Sequence, residues 1–151
     1  MSIEPLVTVV VPTFNRAQLL PRALRSLLHQ DTPLWECIIV DDGSTDDTGK
    51  VVFRDVFRDQ RIRIVSIPNS GPSAARFTGA AIAHAPLLAF LDSDDEFQPN
   101  HLATRLDLHR NNPHIMMAYG GTTVVGEEWV KDFYDENRLV HFSECTLTTS
   151  F

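Results

Sequence analysis

The feature that most restricts this fold is a repeated switch of periodicity between residues 6 and 91, where short apolar runs alternate with amphipathic stretches. Leu6-Val7-Thr8-Val9-Val10-Val11 is a β-branched run of strand length that Pro12 ends. After Asn15, read as an N-cap, Ala23, Leu24, Leu27 and Leu28 recur at helical spacing, with Pro21 at a first-turn position. Trp35 to Val40 opens a second cycle and Asp41-Asp42-Gly43-Ser44 turns the chain. Ser44 with Asp47 has the form of a capping box before a helix marked by Val52 with Val56 and Phe53 with Phe57. The third cycle runs from Ile62-Arg63-Ile64-Val65 through Pro68-Asn69-Ser70-Gly71-Pro72 into Ala74, Phe77, Ala81, Ile82 and Ala85, small residues that let a helix lie close on a sheet. A fourth run, Pro86 to Leu91, stops at Asp92-Ser93-Asp94-Asp95. Connections too long for hairpins predict a mostly parallel, Rossmann-like sheet with helices on both faces, hence an α/β fold.

A further helix is expected over Pro99 to Arg110, and a strand from Ile115 to Gly120 that extends to Val125. Residues 126–151 show no period. At 151 residues the chain is read as one domain, the part that carries its polar motifs lying at about 6–120. The balance of 13 basic against 20 acidic side chains, a formal charge of −7, argues against nucleic acid and anionic lipid as partners. Apolar runs fall far short of the roughly 18 residues of a membrane span, so none is expected. Glu4 stands where a secretory leader would be basic, which favours the cytoplasm. Cys37 and Cys145 are expected as free thiols.

In an open parallel sheet, ligands bind beyond the carboxyl ends of the strands. Four polar loops fall there: Pro12-Thr13-Phe14-Asn15-Arg16, Asp41 to Ser44, Asn69 to Pro72, and Asp92 to Asp95. An acid pair before Gly-Ser is equally well turn chemistry. Three carboxylates within four residues repel one another unless solvent screens them or a cation binds them. Oxygen donors without His or Cys favour Mg²⁺ or Mn²⁺ over zinc. An EF-hand is excluded, because the loop lacks its glycine and its final glutamate. A cation held by few protein oxygens leaves positions for phosphate, which suggests a nucleoside diphosphate, with Asp41 or Asp42 accepting from the base.

These segments, together with Leu28-His29-Gln30, Ser73-Ala74-Ala75-Arg76 and Pro99, resemble the family 2 glycosyltransferases in order and spacing over about residues 6–106. The resemblance implies a GT-A fold, a nucleotide-sugar donor and inversion at the anomeric carbon. By position it implies that Pro12, Thr13, Asn15 and Arg16 line the nucleotide pocket, and that Asp42, with Asp41 beside it, contacts the base. Arg76 falls near the donor. Asp92-Ser93-Asp94 becomes the Asp-x-Asp motif, with Asp94 the metal ligand and Asp92 either a second ligand or nearer the sugar. Phe77 departs from the family, which commonly has Asn there.

The donor implied is a UDP-sugar, with GDP- or dTDP-sugars as alternatives, and the acceptor a saccharide or lipid-linked hydroxyl. An inverting transfer also needs a general base, which the resemblance puts beyond Phe151. Glu127, Glu128, Asp132, Asp135, Glu136 and Glu144 read as solvated acids, and Trp129, Phe133 and Tyr134 as packing or an acceptor-stacking surface. Two other readings compete. One is a non-catalytic nucleotide-sugar-binding module that lacks the base. The other is a phosphoacceptor domain, which would need its acid pair where Pro12-Thr13-Phe14-Asn15 stands.

Overall fold

The computed structural model describes residues 4–56, 59–118 and 139–140, of which 53–56 and 139–140 are described by backbone alone. The chain divides into two compact units, residues 1–106 and 107–151. The first is built on four parallel strands, β1 (Val7–Thr13), β2 (Trp35–Asp41), β3 (Ile62–Ser66) and β4 (Leu87–Phe90), in the order β3-β2-β1-β4. The helices are α1 (Leu20–Leu28), α2 (Thr48–Val56), α3 (Pro72–Ala81) and α4 (His101–Asn111).

Alternation along β1 divides the core. Val7, Val9 and Val11 pack with Leu20, Ala23, Leu24 and Leu27 of α1, Val52 of α2 and Leu102 and Leu106 of α4. Val10 faces the other way, with Ile38, Val40 and Ala75 of α3. Both faces are therefore covered, as expected for α/β. Every residue of β1 and β2 is buried, which is why these central strands read as continuous apolar runs. Each fully buried Val or Ile contributes about 1.5–3 kcal/mol relative to an exposed one. The small-residue stripe of α3 does what its composition suggests: a Cβ on Gly79 would overlap Val10 Cγ1 and stand 3.2 Å from Val40 Cγ2.

Four local expectations are corrected. Pro12 does not end β1 but lies within it, opposite Val40. The Thr13 carbonyl accepts from Asp42 N, toward β2, and the Val10 carbonyl accepts from Leu91 N, toward β4. Pro12 thus turns its missing N–H to the β4 side, past the last β4 pair, where no ladder bond is lost. Asn15 is not an N-cap, since α1 begins at Leu20 with Leu19 at the cap position and Pro21 in its first turn. Ser44 does not form a capping box with Asp47; Asp46 Oδ1 instead receives the Thr48 amide at the start of α2. Helix α3 also ends at Ala81 rather than Ala85.

From β1 the chain winds outward to β3, then returns through α3 to place β4 on the other side of β1. The reversal lies between β1 and β4, whose exits are the Thr13 and Asp92 loops, and crevices for ligands form at such points. In the second unit Ile115 is buried and β5 (Met117–Ala118) pairs antiparallel with β6 (Leu139–Val140). The strand expected from Ile115 is thus seen over two residues. Ile115 and Met116, expected within it, precede the strand; residues 119–125, the downstream acids, the three aromatics Trp129, Phe133 and Tyr134, and Cys145 lie outside the described residues. Cys37 is a free, buried thiol, pushed up by desolvation and by the Glu36 and Asp59 charges. Among the described residues no helix is long and apolar enough to cross a membrane.

Candidate functional site

The four loops at the carboxyl rim close into a ring, each tied to the next. The first joins the second through Asn15, whose backbone takes φ 51°, a left-handed conformation that Asn tolerates better than most residues. Asn15 Oδ1 accepts from Thr45 N at 2.8 Å and Asp46 N at 3.2 Å, while Asn15 N donates to Ser44 Oγ at 2.9 Å. Arg16 N donates to Thr48 Oγ1 and Ala17 N to Asp46 Oδ2. The Thr48 hydroxyl, with the amides of Thr48, Ala17 and Asp46 itself, holds the Asp46 carboxyl below the ordinary value against a small desolvation effect.

The second loop joins the third through Asp42, which is buried and accepts from Ser70 N at 2.7 Å and Gly71 N at 2.8 Å, one amide on each oxygen. Gly71, at φ +89°, is the N-cap of α3, so a carboxylate from the end of β2 meets the positive end of that helix. Asp41, also buried, accepts from Ser44 N at 3.0 Å. Gly43 seals the same junction, because at φ +76° a Cβ there would stand 3.0 Å from Asn69 N.

The third side closes where Arg76 Nη2 meets Asp92 Oδ1 at 2.5 Å, and the fourth where Arg16 Nη2 stands 3.8 Å from Asp94 Oδ2. Arg22 of α1 adds a bond from Nη2 to the Asp94 carbonyl at 2.7 Å and an ion pair from Nε to Glu96 at 2.8 Å. Three guanidinium groups thus face Asp92, Asp94 and Glu96. Desolvation first, and then the Asp94 and Asp92 charges, raise the Asp95 carboxyl above the ordinary value, with Arg22 opposing. Ser93 is buried within the loop.

At the exit of β1, Thr13 pairs in register with Asp41, and Thr13 is only 3% exposed. Among the described residues, Thr13 Oγ1 is the buried side-chain polar atom without a hydrogen-bond partner. Such an orphan costs about 1–3 kcal/mol, a penalty relieved when a ligand bonds to it. The structure therefore brings Thr13, Asn15, Arg16, Asp41, Asp42, Arg76, Asp92 and Asp94 to one rim. It also gives structural work to Asn15 and Asp42 that sequence reasoning did not foresee. Arg22, Asp46, Thr48 and Glu96 were missed as well; for Arg22 a signal existed, since Arg22, Ser26 and Gln30 repeat at four-residue spacing.

Comparison with known proteins identifies the family of this fold. The family model for glycosyl transferase family 2 matches residues 8–148. A putative teichuronic acid biosynthesis glycosyltransferase of Bacillus subtilis, TuaG, is 38% identical over 69% of this chain and 42% of its own. The crystal structure of S. aureus TarS 1–349 in complex with UDP-GlcNAc superposes with TM-score 0.75 at 27% identity, over 86% of this chain and 38% of that one. A mannosyltransferase from Pyrobaculum calidifontis in complex with GDP-Man and Mn²⁺ gives TM-score 0.66 at 26% identity, over 82% and 36%. The chain spans less than half the length of the curated relatives it matches. With the family model matched over most of its length and a GT-A fold shared with solved glycosyltransferases, this chain belongs to the family 2 glycosyltransferases.

Proposed function

We propose that this chain is the donor-binding part, about residues 6–120, of an inverting glycosyltransferase that takes a nucleoside-diphosphate sugar together with Mn²⁺ or Mg²⁺. The observation that carries the reading is the closed ring of loops and the unpartnered Thr13 hydroxyl at the exit of β1, with paired aspartates on one side and arginines beside them. A UDP-sugar is the donor we favour, on the likeness to TarS with UDP-GlcNAc; the likeness to the GDP-Man enzyme keeps a GDP-sugar as the alternative.

The donor set suits a hard divalent cation. Asp92 and Asp94 offer carboxylate oxygens on side chains 46% and 49% exposed, reachable from solvent. Among the described residues no three His, Cys, Asp or Glu side chains already enclose a metal position, so most ligands must come from phosphate and water. When bound, the cation neutralises charge on the departing diphosphate.

The chain's own residues do the rest. Thr13, Asn15 and Asp41 bound the nucleoside side of the crevice, and Arg16 and Arg76 are placed to hold the diphosphate. In the transfer, an acceptor hydroxyl oxygen bonds to the anomeric carbon as the bond from that carbon to the diphosphate oxygen breaks. The diphosphate leaves with the electron pair, and the acceptor proton passes to a base supplied from outside the donor-binding part. A saccharide or lipid-linked acceptor is the class we favour, since the similar TuaG is a putative teichuronic acid enzyme.

Thermal melts with UDP, GDP, dTDP and UDP-GlcNAc, with and without Mn²⁺, test this reading. A ligand at about 100 times its Kd stabilises the fold by about 2.7 kcal/mol. A Mn²⁺-dependent rise with one nucleotide is expected, and no rise with any of them would refute the proposal. UDP release from UDP-GlcNAc, measured in parallel, separates a transferase from a binding module.

A further inference from the structure

Helix α1 and its exit carry Arg22, Ser26 and Gln30 at four-residue spacing, so the three side chains follow one face. Each reaches the backbone of the segment that follows Asp92. Arg22 donates to the Asp94 carbonyl at 2.7 Å, Ser26 Oγ accepts from Phe97 N at 3.0 Å, and Gln30 bonds both Gln98 O at 2.7 Å and Leu102 N at 2.9 Å. Asp31 N adds a bond to Pro99 O at 2.9 Å. Residues 94–102, mostly without regular structure, are thus laced to α1 by groups about 70 residues earlier in the chain.

Arg22 differs from the other rungs in what it holds. Its fork is occupied on one arm by the Glu96 carboxylate, 2.8 Å from Nε, which leaves Nη2 aimed at the Asp94 carbonyl. A planar guanidinium fixed at two points sets an orientation that a single flexible ammonium cannot. Arg22 touches the backbone of Asp94, while the carboxylate of Asp94 points to Arg16.

We infer that Arg22 is a positioning residue: together with Glu96 it orients Asp94 for the divalent cation, without itself contacting cation or donor. This rests on the reading of Asp94 as the metal ligand under the proposed function. Groups that orient a metal ligand from behind typically alter affinity by about 10–100-fold when removed. Arg22 is itself 48% exposed, so its replacement leaves the core intact.

The test is Mn²⁺ binding to the chain with saturating UDP, followed by the electron paramagnetic resonance signal of free Mn²⁺. Arg22→Gln is expected to weaken Mn²⁺ binding about 10-fold or more, and Glu96→Gln to follow in the same direction, with metal-free UDP binding unchanged. Ser26→Ala, which loosens the next rung, serves as the structural control and should lower stability while leaving Mn²⁺ affinity alone. If Arg22→Gln binds Mn²⁺ within twofold of the wild type while Asp94→Asn does not bind it, the inference fails and the metal reading stands. If Ser26→Ala weakens Mn²⁺ as much as Arg22→Gln, general loosening explains both and the inference also fails. If Asp94→Asn binds Mn²⁺ normally, the metal reading falls and the inference falls with it.

Discussion

Arg76 Nη2 lies 2.5 Å from Asp92 Oδ1, so the first carboxylate of the Asp92-Ser93-Asp94 motif is held by a cation of the protein's own. The two side chains are 34% and 46% exposed, and pairs in that setting are worth about 0.2–1 kcal/mol. Arg76 therefore competes weakly with a metal for Asp92. In the nucleotide-free chain, Arg76→Gln is expected to tighten Mn²⁺ by about 1.5- to 5-fold, the equivalent of that energy. Calorimetry should show the opposite for a UDP-sugar, whose diphosphate loses a positive partner. Weaker Mn²⁺ binding in the variant would count against competition.

Asn15 supplies both an acceptor for two amides and a left-handed backbone, and two substitutions separate these. Asn15→Ala loses both and is expected to cost about 1.5–3 kcal/mol in urea unfolding, from the lost bonds to two solvent-exposed amides and the strain at φ 51°. Asn15→Gly keeps the backbone at ease and should recover about 1 kcal/mol of that loss. Equal losses for the two would mean that the conformation carries no strain.

Gly79 offers a case where helix propensity points the wrong way. Alanine in a helix interior is ordinarily better than glycine by about 1 kcal/mol. Here the added methyl meets Val10, whose branched side chain has little rotamer freedom, and overpacking costs about 1–3 kcal/mol. Gly79→Ala is expected to lower Tm, by about 2–4 °C for each net kcal/mol in a chain of this size. A raised Tm would show that α3 can lift from the sheet without cost.

Acid should weaken the fold in two steps. His101, stacked on Phe97 at 4.0 Å, is lowered from 6.5 to about 4 by burial and by the Arg105 charge. Between those values the unfolded chain takes a proton that the folded one refuses, so stability present above pH 6.5 falls toward pH 4. Burial also works to raise the Glu36 carboxyl, but bonds from the Thr8 hydroxyl and His84, with the Arg63 charge, outweigh it and hold the group low. Its contribution is present above pH 4.5 and is lost as pH falls further. Melts across pH 3–8 should show a flat region above pH 7 and a decline from about pH 6.5, with His101→Gln flattening the first step alone.

The amino-acid sequence by itself determined the fold class and the rim at which the candidate site residues gather. Strands β1 and β2 are buried on both faces, so they are written as unbroken apolar runs, and the polar loops after the strands can lie only at the carboxyl rim of a parallel sheet. Tertiary structure decided which polar group serves which purpose, because the partners are far apart in the chain. Whether Pro12 ends a strand depends on where β4 stops pairing, a fact encoded near residue 90. Asn15 and Ser44 looked like caps because local hydrogen bonds are what a short window contains; their actual partners lie about 30 residues away. Arg22 and the Asp94 carbonyl are 72 residues apart, and only the return of the chain through α3 to β4 brings them within a hydrogen bond.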